Sequence, residues 1–212
     1  MKADFTKAYL GQRQILGGLG IALPFLVILF GLLGENNYGW YYSISATFYA
    51  NSGPVFIALM GAVGIFLISY GVYCFYTRLD RIVNVLPGVF ALLISFFPCG
   101  ATILEKVGIL HIPTKISALI HNISACIFFL LLSFNILFLF TKTAGKLTKK
   151  KIVRNRLYRV CGTGILFFIA SQAIMTMAPI GGPYTLINET GMLLCFGIAW
   201  LVKGETLLRD II

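Results

Sequence analysis

The sequence predicts an all-α, polytopic transmembrane helix bundle, a single domain over residues 1–212 with six spans and both termini in the cytoplasm. Three observations lead there. Composition is the first: 58% of the residues are hydrophobic and 11% charged, with a mean hydropathy of +0.90, whereas soluble domains carry roughly 25% charged residues. A water-soluble fold of this size has too little interior to hide so much apolar surface. The second observation is six apolar runs close to the about 20 residues that a helix needs to cross a bilayer core. The third is the placement of Lys and Arg between those runs, almost all on alternate sides.

The runs cover residues 15–33, 53–77, 82–104, 116–141, 157–177 and 186–203. In lipid every backbone N–H and C=O must be paired internally, so runs of this length are helices. The opening MKADFTKAYLGQRQ and the apolar run after it imitate a signal peptide, but no small-x-small cleavage site follows, and the run reads as a retained first span. After span one comes GENNYGWYYSISATFYANSG, residues 34–53, a polar stretch whose Trp40, Tyr41, Tyr42 and Tyr49 suit the headgroup zone. Span two carries Ala58, Gly61, Gly64 and Gly71 on one side, and such small residues allow close helix approach, within the chain or in a homo-oligomer. Pro98 and Gly100 interrupt the outer end of span three. A basic loop, residues 142–159, separates spans four and five, and span six is short.

Of the 17 Lys and Arg residues, Lys2, Lys7, Arg13, Arg78, Arg81, Lys142, Lys146, Lys149, Lys150, Lys151, Arg154, Arg156, Arg159, Lys203 and Arg209 fall on one side of this map. Only Lys106 and Lys115 fall on the other. Positive residues are retained on the cytoplasmic side, so the asymmetry supports an even number of spans and sets the orientation. A formal charge of +10 would suggest nucleic acid for a soluble chain. Here the charges cluster between apolar runs, and membrane lipids are the expected partner. Lys149, Lys150, Lys151, Arg154, Arg156 and Arg159 are candidate contacts for anionic lipid, each worth about 1 kcal/mol close to the surface. Lys203 is expected to pair within this inner layer, for example with Asp80.

Ionisable groups at membrane depth are costly and are functional candidates by default. His121, in SALIHNISA, lies one to two turns below the outer end of span four, Glu189 near the outer end of span six, and Glu35 at the end of span one. With Asn37, Ser43, Ser45, Tyr49, Asn51 and Asn188 they are candidates for one outward-facing pocket. The plainer alternative is that His121 and Glu189 bond to each other or to a neighbouring backbone, as buried polar groups must. A catalytic zinc needs three protein ligands, and His111 and His121 are the only histidines, ten residues apart across Pro113. Cys74, Cys99, Cys126, Cys161 and Cys195 lie in or beside apolar runs without a C-x-x-C pair and read as small buried hydrophobes. Asn188, Glu189 and Thr190 fit a glycosylation sequon.

SISATFY after span one, FFLLLSFNILFLFTK in span four, K-x-x-R-N-R-L-Y-R-V-C-G at the entry to span five and FGIAWLVKGE in span six together resemble an uncharacterised family of bacterial six-span membrane proteins. The resemblance implies a cytoplasmic (inner) membrane location and no particular activity. Glu35, Asn36, Asn37 and Tyr38, followed by Phe48, Tyr49, Ala50, Asn51 and Ser52, are similar to a loop of the alkaline ceramidases, which reads roughly C-E-x-N-Y and then E-F-Y/W-N-T. Those enzymes are seven-span zinc amidases with a nearby calcium site. The similarity implies calcium-ligand positions at Glu35 and Asn37, but the later glutamate position is Thr47 here and span six lacks the H-x-x-x-H that binds zinc.

Three functional expectations follow. The first is a non-enzymatic inner-membrane protein that binds a lipid or small amphiphile in the outer polar pocket, since pockets between helices are the usual ligand sites of bundles. The second is an intramembrane, metal-dependent lipid hydrolase using His121 with Glu35 or Glu189 and zinc or calcium. The third is a small transporter, although spans one to three and four to six show no internal repeat of the kind transporters carry.

Overall fold

The computed structural model describes residues 2–33, 42–73, 77–101, 104–142, 148–178 and 182–208, with side chains from residue 7 onward. Six long helices run α1 Lys2–Leu32, α2 Gly53–Val72, α3 Arg78–Phe96, α4 Thr114–Phe134, α5 Lys149–Met177 and α6 Tyr184–Lys203. All six are long and apolar enough to cross a membrane, so the chain is a multi-pass membrane protein. Each helix packs on its neighbours in sequence, and α1 also packs on α6. The bundle is therefore a closed ring in chain order, with the first turns of α1 and the end of α6 at the same end of it.

Helix packing in lipid gains little from the hydrophobic effect, because acyl chains are as apolar as leucine; close backbone approach and hydrogen bonds hold it together. Glycines set the two tightest seams. A Cβ on Gly64 would stand 2.9 Å from the Gly88 carbonyl oxygen, and one on Gly88 would stand 2.6 Å from that of Gly64, so α2 and α3 touch at the backbone. The α1 and α6 backbones meet likewise, a Cβ on Gly17 or on Gly197 falling 2.8 Å from the other's oxygen. The small-residue stripe of span two is thus occupied within the chain by α3. The rings of Phe128, Phe196, Trp200, Tyr70, Phe140 and Tyr158 fill the centre edge-to-face, at centroid distances of 4.8–6.5 Å.

Several boundaries differ from the sequence reading. Span three ends at Phe96, eight residues early, because Pro98 cannot continue a helix and forces the residue before it to be extended. Phe97 has φ −107° and ψ 98°. After it comes a hairpin, β1 Lys106–Val107 paired antiparallel with β2 Ile112–Pro113, and its turn places Gly108 at φ 71°. Much of the basic loop is helix: α5 begins at Lys149, where the Thr148 hydroxyl accepts the Lys151 N–H at 3.1 Å and caps the first turn. Pro24 and Pro87 lie inside α1 and α3 without ending them. At its C-terminal end α4 passes into a π-helical turn, Asn135–Leu139. Pairing in the inner layer also differs, since Asp80 binds Lys142 at 2.7 Å and not Lys203.

Candidate functional site

A short 3-10 helix, Ser45–Tyr49, precedes α2 at the end of the bundle away from the termini. Its first amides point at Glu189 in the first turns of α6. Glu189 Oε2 accepts the Ile44 N–H at 2.5 Å and the Ser45 N–H at 3.3 Å, and Oε1 accepts the Ser45 hydroxyl at 3.0 Å. A carboxylate on exposed helix-starting amides is the arrangement that satisfies those donors best. The Tyr42 carbonyl accepts the Leu186 N–H at 3.1 Å and fixes the same junction. The Ser43 hydroxyl accepts the Ala46 N–H at 2.8 Å and closes the turn locally.

Under this junction lies a cavity of about 30 Å³, walled by Leu23, Ile44, Phe56, Met60, Ile94, Ala125, Phe129 and Leu193, with Ser45 and Glu189 as its polar lining. Residues from α1, α2, α3, α4 and α6 meet there. The volume suits about one or two waters or a small polar tip.

The extended segment leaving α3 forms a second polar structure. Three consecutive carbonyls, those of Phe97, Pro98 and Cys99, each accept from one side chain: His121 Nδ1 at 2.7 Å, Ser117 Oγ at 2.7 Å and Tyr49 Oη at 2.5 Å. Carbonyl oxygens only accept, so the His121 proton sits on Nδ1. Its Nε2 is then a buried acceptor with no hydrogen-bond partner among the described residues. Burial, reinforced by the Glu189 carboxylate, pushes the Cys99 thiol up to about 12.

The outer candidates therefore divide among separate places. Ser45 and Glu189 share the cavity, Tyr49 and His121 hold the segment after α3, and Ser43 caps its own turn. Asn188 is buried and donates to Gln172 Oε1 on α5 at 3.1 Å, which removes it as a glycosylation acceptor. Asn51 is exposed. Glu35 and Asn37 lie outside the described residues. His121 meets the backbone of the extended segment after α3, not that of a helix, and its bond is to the Phe97 carbonyl and not to Glu189. Ser117 and Gln172 escaped the sequence reading, because a lone Ser or Gln in an apolar run carries no signal until its partner is known.

The residues present do not fit a catalytic zinc, because among the described residues no three His, Cys, Asp or Glu side chains converge and three ligands are the minimum. His121 spends Nδ1 on a carbonyl. The described cysteines are free thiols.

At the termini end a layer of cations lies on aromatic rings. The Arg13 guanidinium lies 4.2 Å from the Tyr9 ring centroid and donates to Tyr70 Oη through Nε and Nη2, both at 3.2 Å, and to the Lys203 carbonyl through Nη1 at 3.2 Å. Lys151 and Lys203 both donate to the Phe140 carbonyl, at 3.0 and 3.4 Å, and both stand over Tyr158. Lys151 and Arg154 are turned toward the bundle, whereas Lys149, Arg156 and Arg159 are exposed and Lys150 is half-buried. A buried chain of amides runs alongside: Asn135 Nδ2 donates to Asn84 Oδ1 at 2.5 Å, and Asn84 Nδ2 to the Asp80 carbonyl at 2.6 Å.

No protein-family model, no curated protein and no solved structure matches this chain.

Proposed function

We propose that this is a non-enzymatic multi-pass protein of the bacterial cytoplasmic membrane, its termini in the cytoplasm, that holds a lipid or small amphiphile at its outer end. The observation that carries this reading is the cavity below Glu189, a site of apolar walls and one carboxylate at the meeting point of five helices. Apolar pockets with a few convergent polar groups are where bundles bind ligands. Its size limits what enters to a polar tip or a short branch, with the remainder of the amphiphile lying along the lipid-facing surface. The orientation rests on the Lys and Arg asymmetry, and the exposed Lys149, Arg156 and Arg159 then face anionic headgroups. Hydrolase and transporter readings have less support: among the described residues no metal-ligand set converges, and spans one to three and four to six show no internal repeat.

The test is lipid analysis and metal analysis of detergent-purified protein, wild type beside Ala125→Leu. Ala125 lines the cavity, and leucine there fills it. An amphiphile enriched in the wild type and depleted in Ala125→Leu is the expected result. Equal amphiphile content in both proteins refutes the site, and about one zinc per chain replaces this reading with the hydrolase.

A further inference from the structure

Independently of the outer site, a groove of about 220 Å³ opens at the termini end between α1 and the turn after α6, lined by Lys7, Leu10, Gly11, Gln14, Gly204 and Glu205. Three features define what it fits. The first is depth: Lys7 opens the apolar part of α1 and Glu205 stands two residues past the end of α6, so the groove sits at the edge of the spanning segments, where headgroups lie. The second is charge. Lys7 and Glu205 are both on the lining, and no ion pair joins them among the described residues. A ligand bearing both signs meets both, whereas a simple anion or cation meets one partner and one repulsion. The third is room. At about 220 Å³ the groove is about seven times the volume of the cavity under Glu189, room for a small headgroup and far more than a single ion.

The lining also discriminates between zwitterions. A quaternary ammonium is recognised by aromatic faces, and none of the lining residues is aromatic. A primary ammonium needs hydrogen-bond acceptors, and the groove offers the Glu205 carboxylate beside the Gly204 carbonyl, which already accepts Gln14 Nε2 at 2.9 Å and keeps a second lone pair. That carbonyl belongs to the C-terminal end of α6, where the helix dipole favours positive charge. Gly11 forms an open stretch of the wall, since a Cβ built on it meets no atom within 4 Å.

We infer that this groove binds a phosphoethanolamine-type group, with phosphate at Lys7 and primary ammonium at Glu205 and the Gly204 carbonyl. The source of that chemistry is a membrane phospholipid headgroup or the free zwitterion, and the experiment separates them. Full-length protein is reconstituted in bilayer discs of equal phosphatidylethanolamine and phosphatidylcholine, released, and its retained lipid counted by native mass spectrometry, with and without soluble phosphoethanolamine. Wild type retains the ethanolamine lipid preferentially. Glu205→Gln removes the charge-assisted bond to the ammonium and lowers that preference about tenfold, whereas Lys7→Gln, at the phosphate that both lipids share, lowers retention of the ethanolamine lipid itself about tenfold. Gly11→Leu fills the groove and abolishes it without lowering the melting temperature, because its side chain enters open space and leucine favours the helix over glycine. Retention unaffected by Gly11→Leu, or equal retention of the two lipids without competition by soluble phosphoethanolamine, overturns the assignment. Should Gly11→Leu fold poorly, the two surface charge variants decide the matter. Saturable binding of soluble phosphoethanolamine that requires Lys7 and Glu205, without lipid retention, assigns the groove to the free zwitterion.

Discussion

Replacing His121 tests whether the segment leaving α3 is held as one strap. In His121→Ala the Phe97 carbonyl loses its donor at 2.7 Å beside the buried His121 ring position, and leaving a buried group unpaired costs about 1–3 kcal/mol. The deleted ring adds a void, and packing losses of this kind bring the total to about 3 kcal/mol. At about 2–4 °C per kcal/mol for a chain of this length, the midpoint in mild detergent falls by about 6–12 °C. His121→Asn keeps an N–H near the Nδ1 position and dispenses with the orphaned Nε2, so it recovers more than half of the loss. The stronger signature is in the double variant. His121, Ser117 and Tyr49 hold consecutive carbonyls, so once one clasp is gone the others grip a segment that has already lifted. His121→Ala with Ser117→Ala should therefore cost less than the two single changes together, by about 0.5–3 kcal/mol. Additive effects, or a His121→Ala midpoint within about 2 °C of wild type, refute the strap.

Two further outcomes follow from local geometry. Gly88→Ala places a methyl 2.6 Å from the Gly64 oxygen and 2.8 Å from the Ile68 nitrogen, backbone atoms that cannot turn aside, and overpacking of this kind costs about 1–3 kcal/mol. Gly61→Ala meets only Ser95 Oγ at 3.7 Å and gains up to about 1 kcal/mol of helix propensity; equal denaturation midpoints for the two variants would contradict the α2 and α3 seam. Cys99, raised from 9.0 to about 12, has about a thousandfold less thiolate near neutral pH than an unperturbed thiol. In a variant keeping only that cysteine, iodoacetamide labelling should be slow at pH 8 and still accelerate above pH 10; labelling at pH 8 as fast as a free thiol would show that the site is open to water.

The six spans were legible because bilayer thickness imposes a length and lipid forbids unpaired backbone, two constraints that act on composition alone. The helix ends were less so. α5 starts eight residues before its apolar run because Thr148 caps it and because Lys151 and Arg154 lay their stems on the bundle, a role that charge alone does not reveal. The hairpin after α3 falls between the runs read as spans three and four, and two strands of two residues each are too short for an alternating pattern to show. Of the candidates Ser45, His121 and Asn188 are buried and Asn51 is exposed, and their grouping was not legible, since partners such as the Phe97 carbonyl and Gln172 are set by which helices become neighbours. Asp80 illustrates the point. Its nearest cation in the folded chain is Lys142, brought there by the π-helical turn at the end of α4, whose extra residue per turn rotates everything after it.

The seam between α1 and α6 bears on how the molecule is made. Gly17 and Gly197 touch across the whole length of the chain, and Arg13 finds an acceptor on Lys203, its sixth-helix neighbour. A ribosome delivers α1 first and α6 last. Until α6 is made the first helix must wait in the bilayer with its glycine face unmatched and its guanidinium held by Tyr9 and Tyr70 without the Lys203 carbonyl, and nothing short of α6 can close the ring. A chain halted before α6 is then an open arc rather than a smaller bundle, with the Gly17 face of α1 left without the helix that covers it.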